Sequence, residues 1–127
     1  MVTAQKLMKQ DLAKVHGSTT VSDAAKIMRD RKIGSIFVEH NQQIVGIVTE
    51  TDIVRQIVSR DQMPGFVPVV SIMSSPVIGI EASRPITEAA DLMERNQTRH
   101  LAVMKAGDIV GVLSVRDLLH PVSIDEF

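Results

Sequence analysis

Residues 21–54 read VSDAAKIMRDRKIGSIFVEHNQQIVGIVTETDIV, and residues 86–119 read ITEAADLMERNQTRHLAVMKAGDIVGVLSVRDLL. The two stretches align without a gap at an offset of 65 residues. Eight of the 34 pairs are identical: Ala24/Ala89, Ala25/Ala90, Met28/Met93, Val38/Val103, Ile44/Ile109, Val45/Val110, Gly46/Gly111 and Asp52/Asp117. Every apolar residue of the first stretch meets an apolar residue in the second, except Ile33, which meets Thr98. The register extends upstream, with Leu7-Met8 over Ile72-Met73 and Ser18 over Ser83. Two copies, 1–61 and 62–127, therefore fill the chain. A domain of about 60 residues buries only about 60% of its unfolded surface, so the copies are expected to share one core.

Each copy reads alike. Val21, Ala24, Ala25 and Met28, like Ile86, Ala89, Ala90 and Met93, follow the i, i+3, i+4, i+7 spacing of one helix face. The small Ala pair would let that helix approach a sheet closely. Thr20 would cap it, with Asp23 in the capping-box position. Residues 35–39 and 44–48 are short β-branched runs around Asn41-Gln42, which predicts an antiparallel hairpin. In the second copy Ala106-Gly107-Asp108 makes the turn. A helix carrying Ile53, Val54, Ile57 and Val58 follows. Short strands are expected at 13–15 and 77–80, short helices at 4–8 and 70–73, and loop chemistry at 60–68. The fold class is α/β of the α+β type: β-α-β-β-α, twice.

Composition narrows function. The 127 residues carry 14 basic and 15 acidic side chains, a net charge of −1. Nothing in that balance attracts nucleic acid or an anionic membrane. No 18-residue apolar run spans a bilayer, and MVTAQKLMKQ does not read as a signal peptide. Cys is absent, which removes disulfides and thiolate chemistry and agrees with a cytoplasmic location. With only three Phe and no Trp or Tyr, stacking platforms for single-stranded nucleic acid are weakened. There is no G-x-S-x-G elbow, H-E-x-x-H pair or phosphate-binding glycine loop. The expectation is no catalytic residue, no metal and no cofactor.

One junction occurs twice: Gly46-Ile47-Val48-Thr49-Glu50-Thr51-Asp52, and Gly111-Val112-Leu113-Ser114-Val115-Arg116-Asp117. Two readings of the same atoms are open. Thr49 and Ser114 could be N-caps in capping boxes with Asp52 and Asp117, and each Gly could allow close backbone approach within the hairpin. Alternatively, the free N–H groups and hydroxyl of a helix start could hold a phosphate. The acid one turn later could then accept from two ribose hydroxyls.

The repeated G-h-h-[ST]-x-x-D, the helix with an A-A pair, and the Leu-Met or Ile-Met opening resemble tandem CBS domains, a Bateman module. The resemblance covers roughly residues 7–119. It implies two β-α-β-β-α repeats packed through their sheets with pseudo-twofold symmetry, clefts that bind AMP, ADP, ATP or S-adenosylmethionine, and frequent dimerisation. It assigns ribose hydroxyls to Asp52 and Asp117, and phosphate to Thr49 and Ser114 with help from Thr51 and Arg116. Gly34-Ser35 and Arg99-His100 would also line the clefts, while Met8, Met73, Val77 and Ile78 would sandwich the base. The copies depart from one another: the uncharged Gly34-Ser35 stands where the second has Arg99-His100, and Thr51 where it has Arg116.

The resemblance thus implies a regulatory module whose effector is an adenosine-type small molecule, acting as a homodimer on an effector protein that the sequence does not name. The competing reading is a degenerate pair that serves only dimerisation or protein interaction.

Overall fold

The computed structural model describes residues 1–123, with side chains through Leu119; 124–127, the end of the second copy, lie outside the described residues. The elements are α1 (Ala4–Leu7), β1 (Lys14–His16), α2 (Val21–Arg31), β2 (Ser35–His40), β3 (Gln43–Thr49), α3 (Glu50–Ile53), β4 (Gly79–Glu81), α4 (Ile86–Asn96), β5 (His100–Lys105), β6 (Asp108–Ser114) and α5 (Val115–Ser123). They form two three-stranded sheets, ordered β1-β2-β3 and β4-β5-β6. In each, the first pair is parallel and the second antiparallel. The mixed α/β class and the repeated β-α-β-β-α order are as the sequence predicts.

The hairpins turn on two residues with positive φ: Asn41 and Gln42 in one, Ala106 and Gly107 in the other. That geometry matches the right-handed strand twist. Asp108 already belongs to β6. Each hairpin carries a register shift at the same place, after Val38 and after Val103. Thr20 caps α2 by accepting from Asp23 N at 3.1 Å, as expected. Its counterpart Pro85 supplies no side-chain cap.

Several details depart from the sequence reading. Of each Ala pair only Ala24 and Ala89 reach the core; Ala25 is half-buried and Ala90 exposed. The helix after β3 is α for four residues and then widens into a π turn over Val54–Val58. Ile57 points inward, while Val54 and Val58 are exposed. The expected helix at 70–73 is a 3₁₀ turn over Val69–Ser71.

Compact units and sequence copies are offset. One unit is Ala13–Val77; the other joins Met1–Leu12 to the chain from Ile78 onward. The segment leading into each copy thus folds with the body of the other. Backbone pairing is the cause. Ser74 N donates to Ile47 O at 2.8 Å and Ile47 N returns to Ser74 O at 3.0 Å. Lys9 N donates to Val112 O at 2.9 Å and Val112 N returns to Lys9 O at 3.0 Å. The 60–68 connection is pinned as well, since Val21 N donates to Val67 O and Val69 N to Thr19 O, both at 2.8 Å.

The cores follow these units. Val15, Val21, Ala24, Met28, Ile36, Val38, Val48 and Ile57 are buried with Val69 and Ile72, which follow the connection. Ile80, Ala82, Ala89, Met93, Leu101, Val103 and Leu113 are buried with Ala4. Full burial of a Val, Leu or Ile side chain contributes roughly 1.5–3 kcal/mol, so Val69 and Ile72 matter to the first unit. Residues 13–77 should accordingly keep amide protection in β2 and β3 that residues 1–61 lose. Equal exchange rates in the two fragments would contradict this assignment.

The repeated glycines serve the leading segments, not the interior of the hairpin. A Cβ on Gly111 would lie 2.8 Å from Met8 Cγ and 3.0 Å from the Lys9 carbonyl. On Gly46 it would lie 2.9 Å from Met73 Cγ and 3.0 Å from the Ser74 carbonyl. The Met chains can yield, but the paired backbone cannot. Gly46→Ala and Gly111→Ala should each lower stability by about 1–3 kcal/mol, measured by denaturant unfolding.

Candidate functional site

The strand-to-helix junctions are capping boxes in both copies. Thr49 N and Thr49 Oγ1 donate to Asp52 Oδ2 at 2.9 and 3.1 Å, and Asp52 N donates to Thr49 Oγ1 at 3.2 Å. Ser114 N and Oγ donate to Asp117 Oδ2 at 2.8 and 3.0 Å, and Asp117 N donates to Ser114 Oγ at 3.3 Å. The capping reading is therefore correct. It leaves ligand binding possible, because only one oxygen of each carboxylate is engaged by its cap.

The residues before β2 and β5 join these junctions. Ser35 pairs with Thr49, and His100 with Ser114, across the hairpins. Glu50 N donates to Gly34 O at 3.1 Å, and Val115 N to Arg99 O at 3.0 Å. Each junction thus gathers the expected set: Gly34, Ser35, Thr49, Thr51 and Asp52 in one unit, Arg99, His100, Ser114, Arg116 and Asp117 in the other. Ser35 and Asp117 are buried, while Thr51, Arg99 and Arg116 are exposed. The helix starts are less open to a phosphate than their sequence implies. The cap, first and third N–H groups already donate within the chain, which leaves those of Thr51 and Arg116.

The apolar residues assigned to the base divide between the units. Met8 and Ile78 pack against the core of the unit that holds Asp117. Met73 packs against the core of the unit that holds Asp52. Val77 is half-buried.

Two site residues are absent from the sequence reading. Ser74 Oγ donates to Asp52 Oδ1 at 3.2 Å. Lys9 Nζ lies 3.8 Å from Asp117 Oδ1, with the Asp117 side chain 8% exposed and that of Lys9 55%. Lys9 and Ser74 are equivalent at the 65-residue offset, each following the Leu-Met or Ile-Met pair. Extending the alignment one residue would have singled them out.

A separate cavity of about 590 Å³ lies in the Ala13–Val77 unit. It runs between α2 and residues 53–64 and is lined by Ala25, Lys26, Ile53, Ile57 and Pro64, among others. No junction residue lines it. Among the described residues no three His, Asp or Glu side chains gather to hold a metal. No helix there is long and apolar enough to cross a membrane.

Known proteins supply the context. The CBS domain family matches the chain twice, at residues 4–59 and 69–123. A 17.7 kDa protein of Acidianus ambivalens is 38% identical over 106 residues, 82% of this chain and 63% of that protein. Relatives from Methanopyrus kandleri and Methanocaldococcus jannaschii are also longer; the chain spans 61% and 62% of them. Among solved structures, a CBS-domain protein of Burkholderia ambifaria superposes with a TM-score of 0.93 at 30% identity, covering 99% of this chain and 97% of that one. A hexameric CBS-CP12 protein from bloom-forming cyanobacteria gives 0.88 at 32%, covering 99% and 74%. A CBS domain protein of Pyrobaculum aerophilum, complexed with AMP, gives 0.82 at 28%, covering 92% and 90%.

The capping role has a measurable consequence. Removing Asp117 leaves Ser114 N without its acceptor and removes the partner of Lys9. Asp117→Ala should lower unfolding stability by about 1–3 kcal/mol. Asp52→Ala should cost less, because Asp52 is more exposed. Denaturant titration of both variants compares them.

Proposed function

Because this chain belongs to the CBS-domain family, whose domain covers it twice, we propose that it is a regulatory module that binds an adenosine-containing ligand and conveys its occupancy to a partner protein. The observation that carries this reading is the state of the two carboxylates. The cap holds Oδ2 of Asp52 and of Asp117 in place. Among the described residues, Oδ1 meets replaceable groups, a serine hydroxyl in one copy and a half-exposed lysine in the other. An anchored carboxylate with an oxygen to spare can accept from the adjacent hydroxyls of a ribose. The AMP complex of the Pyrobaculum aerophilum protein supports adenosine as the nucleoside. AMP, ADP, ATP and S-adenosylmethionine all present that ribose, and none would be a reactant.

The copies differ in charge. Arg99 and Arg116 flank the second junction, where the first has Gly34, Thr51 and the acidic Glu50. Charge-assisted hydrogen bonds contribute roughly 1.5–3 kcal/mol against about 1 for neutral ones. The second-copy site is therefore the tighter one for a phosphorylated ligand. Self-association is part of the reading, supported by the hexameric cyanobacterial relative. A dimer is the smallest such assembly, and sedimentation would measure it.

A ligand present at a hundred times Kd stabilises the folded state by about 2.7 kcal/mol. Millimolar AMP, ADP or ATP should raise the melting temperature, and GMP should do so less. No shift with any adenosine ligand, together with silent calorimetry, would favour a pair that serves protein interaction alone.

A further inference from the structure

We propose that Lys9 sets the ligand selectivity of the second-copy site, favouring phosphorylated over neutral adenosine ligands. The inference rests on the adenosine-binding reading above. Its starting point is the carboxylate of Asp117. That side chain is 8% exposed, and Oδ2 is taken by the Ser114 backbone and hydroxyl. Oδ1 faces the Lys9 ammonium at 3.8 Å. A ribose that hydrogen-bonds Asp117 through Oδ1 comes in beside that ammonium and competes with it for the carboxylate.

Displacement is feasible because of how Lys9 is held. Its backbone is fixed by the reciprocal pair with Val112, whereas its side chain is 55% exposed. The stem can swing without unpacking the core, but the charge stays beside the site. A neutral nucleoside then separates an ion pair and gives the ammonium nothing in return. A nucleotide supplies a phosphate as its new partner. At 3.8 Å and with a half-exposed lysine the pair is loose, so breaking it is no barrier to a ligand that replaces it.

The equivalent position in the other copy supplies a contrast. Ser74 offers Asp52 Oδ1 a neutral hydroxyl at 3.2 Å, on a backbone paired in the same way with Ile47. The rest of the surroundings changes in the same direction. Gly34 becomes Arg99, Thr51 becomes Arg116, Glu50 becomes Val115 and Ser74 becomes Lys9. Lys9 is the member of that set whose charge lies against the carboxylate itself.

The test is calorimetric titration of the full chain with AMP and with adenosine, at low ionic strength. Lys9→Ser recreates the arrangement found at Ser74, so it keeps a hydrogen-bond donor for Asp117. Lys9→Met keeps the stem and removes only the charge, and Lys9→Arg restores a cation. Both neutral variants should reduce the ratio of AMP to adenosine affinity by about tenfold, the scale on which a charge-assisted hydrogen bond exceeds a neutral one. Lys9→Arg should retain the ratio, and added salt should narrow it in the wild type more than in the neutral variants. If the wild type binds AMP but the neutral variants keep its ratio, this inference is overturned and the adenosine reading stands. If neither ligand binds the wild type or any variant, both fail.

Discussion

Each folded unit depends on a two-way backbone pair between a leading segment and the edge of a hairpin. Lys9 pairs with Val112, and Ser74 with Ile47. These pairs satisfy edge groups of β6 and β3, which would otherwise face solvent unpaired. They seat Met8 over Gly111 and Met73 over Gly46. They also bring the residues after those methionines to the capped carboxylates. The glycines follow from this, because any side chain there would collide with the paired backbone. Core closure and site construction are thus one event: what completes the hydrophobic cluster also places the group that meets Asp52 or Asp117.

A shared backbone plan lets the copies diverge in charge at little structural cost. The hairpins have the same register, the same irregularity and the same two-residue turn. The capping geometry agrees to within a few tenths of an ångström. Among the positions that differ in charge, 34/99, 50/115, 51/116 and 74/9 sit around the junctions. Most are exposed, so each charge alone contributes little in a high-dielectric setting. A bound phosphate would meet several of them together.

Much of this was legible in the sequence, because the repeat doubles every signal. An isolated Thr-x-x-Asp is an ordinary helix cap. The same spacing at 49–52 and 114–117, after a glycine and a hairpin strand, marks both junctions, while the resemblance to tandem CBS domains implied that 34–35 and 99–100 join them. Hidden were the features that depend on where a segment folds instead of on what it contains. Residues 1–12 and 62–77 read as parts of their own copies, yet each closes the unit built on the other. Local periodicity carries no sign of this; the pointer to Lys9 and Ser74 is the 65-residue offset carried one residue past Met8 and Met73. The π turn was illegible too. The apolar positions at 53, 54, 57 and 58 suit an α face, but the wider turn leaves Val54 and Val58 outside while burying Ile57.

The exchange of leading segments also separates the sites energetically. The Ile47–Ser74 pair closes a loop of fewer than about 30 residues, whereas the Lys9–Val112 pair closes one of roughly 100, so its loop-closure entropy costs about 1 kcal/mol more in an unstructured chain. Segment 1–12 therefore has the weaker entropic hold on its unit, though it contributes a fully buried residue there, Ala4. It is also the segment whose lysine lies against Asp117. A phosphorylated ligand that engages both Lys9 and Asp117 would tie this distant segment to its unit at the point where chain connectivity holds it least. Binding at the second-copy site would then add most of its stability to the docking of residues 1–12, whereas the first-copy site is closed by a nearby segment and gains less from the same contact. The charge asymmetry and the connectivity asymmetry fall in the same copy, so under the proposed adenosine-binding function the second copy would be the better placed to convert occupancy into a change in structure.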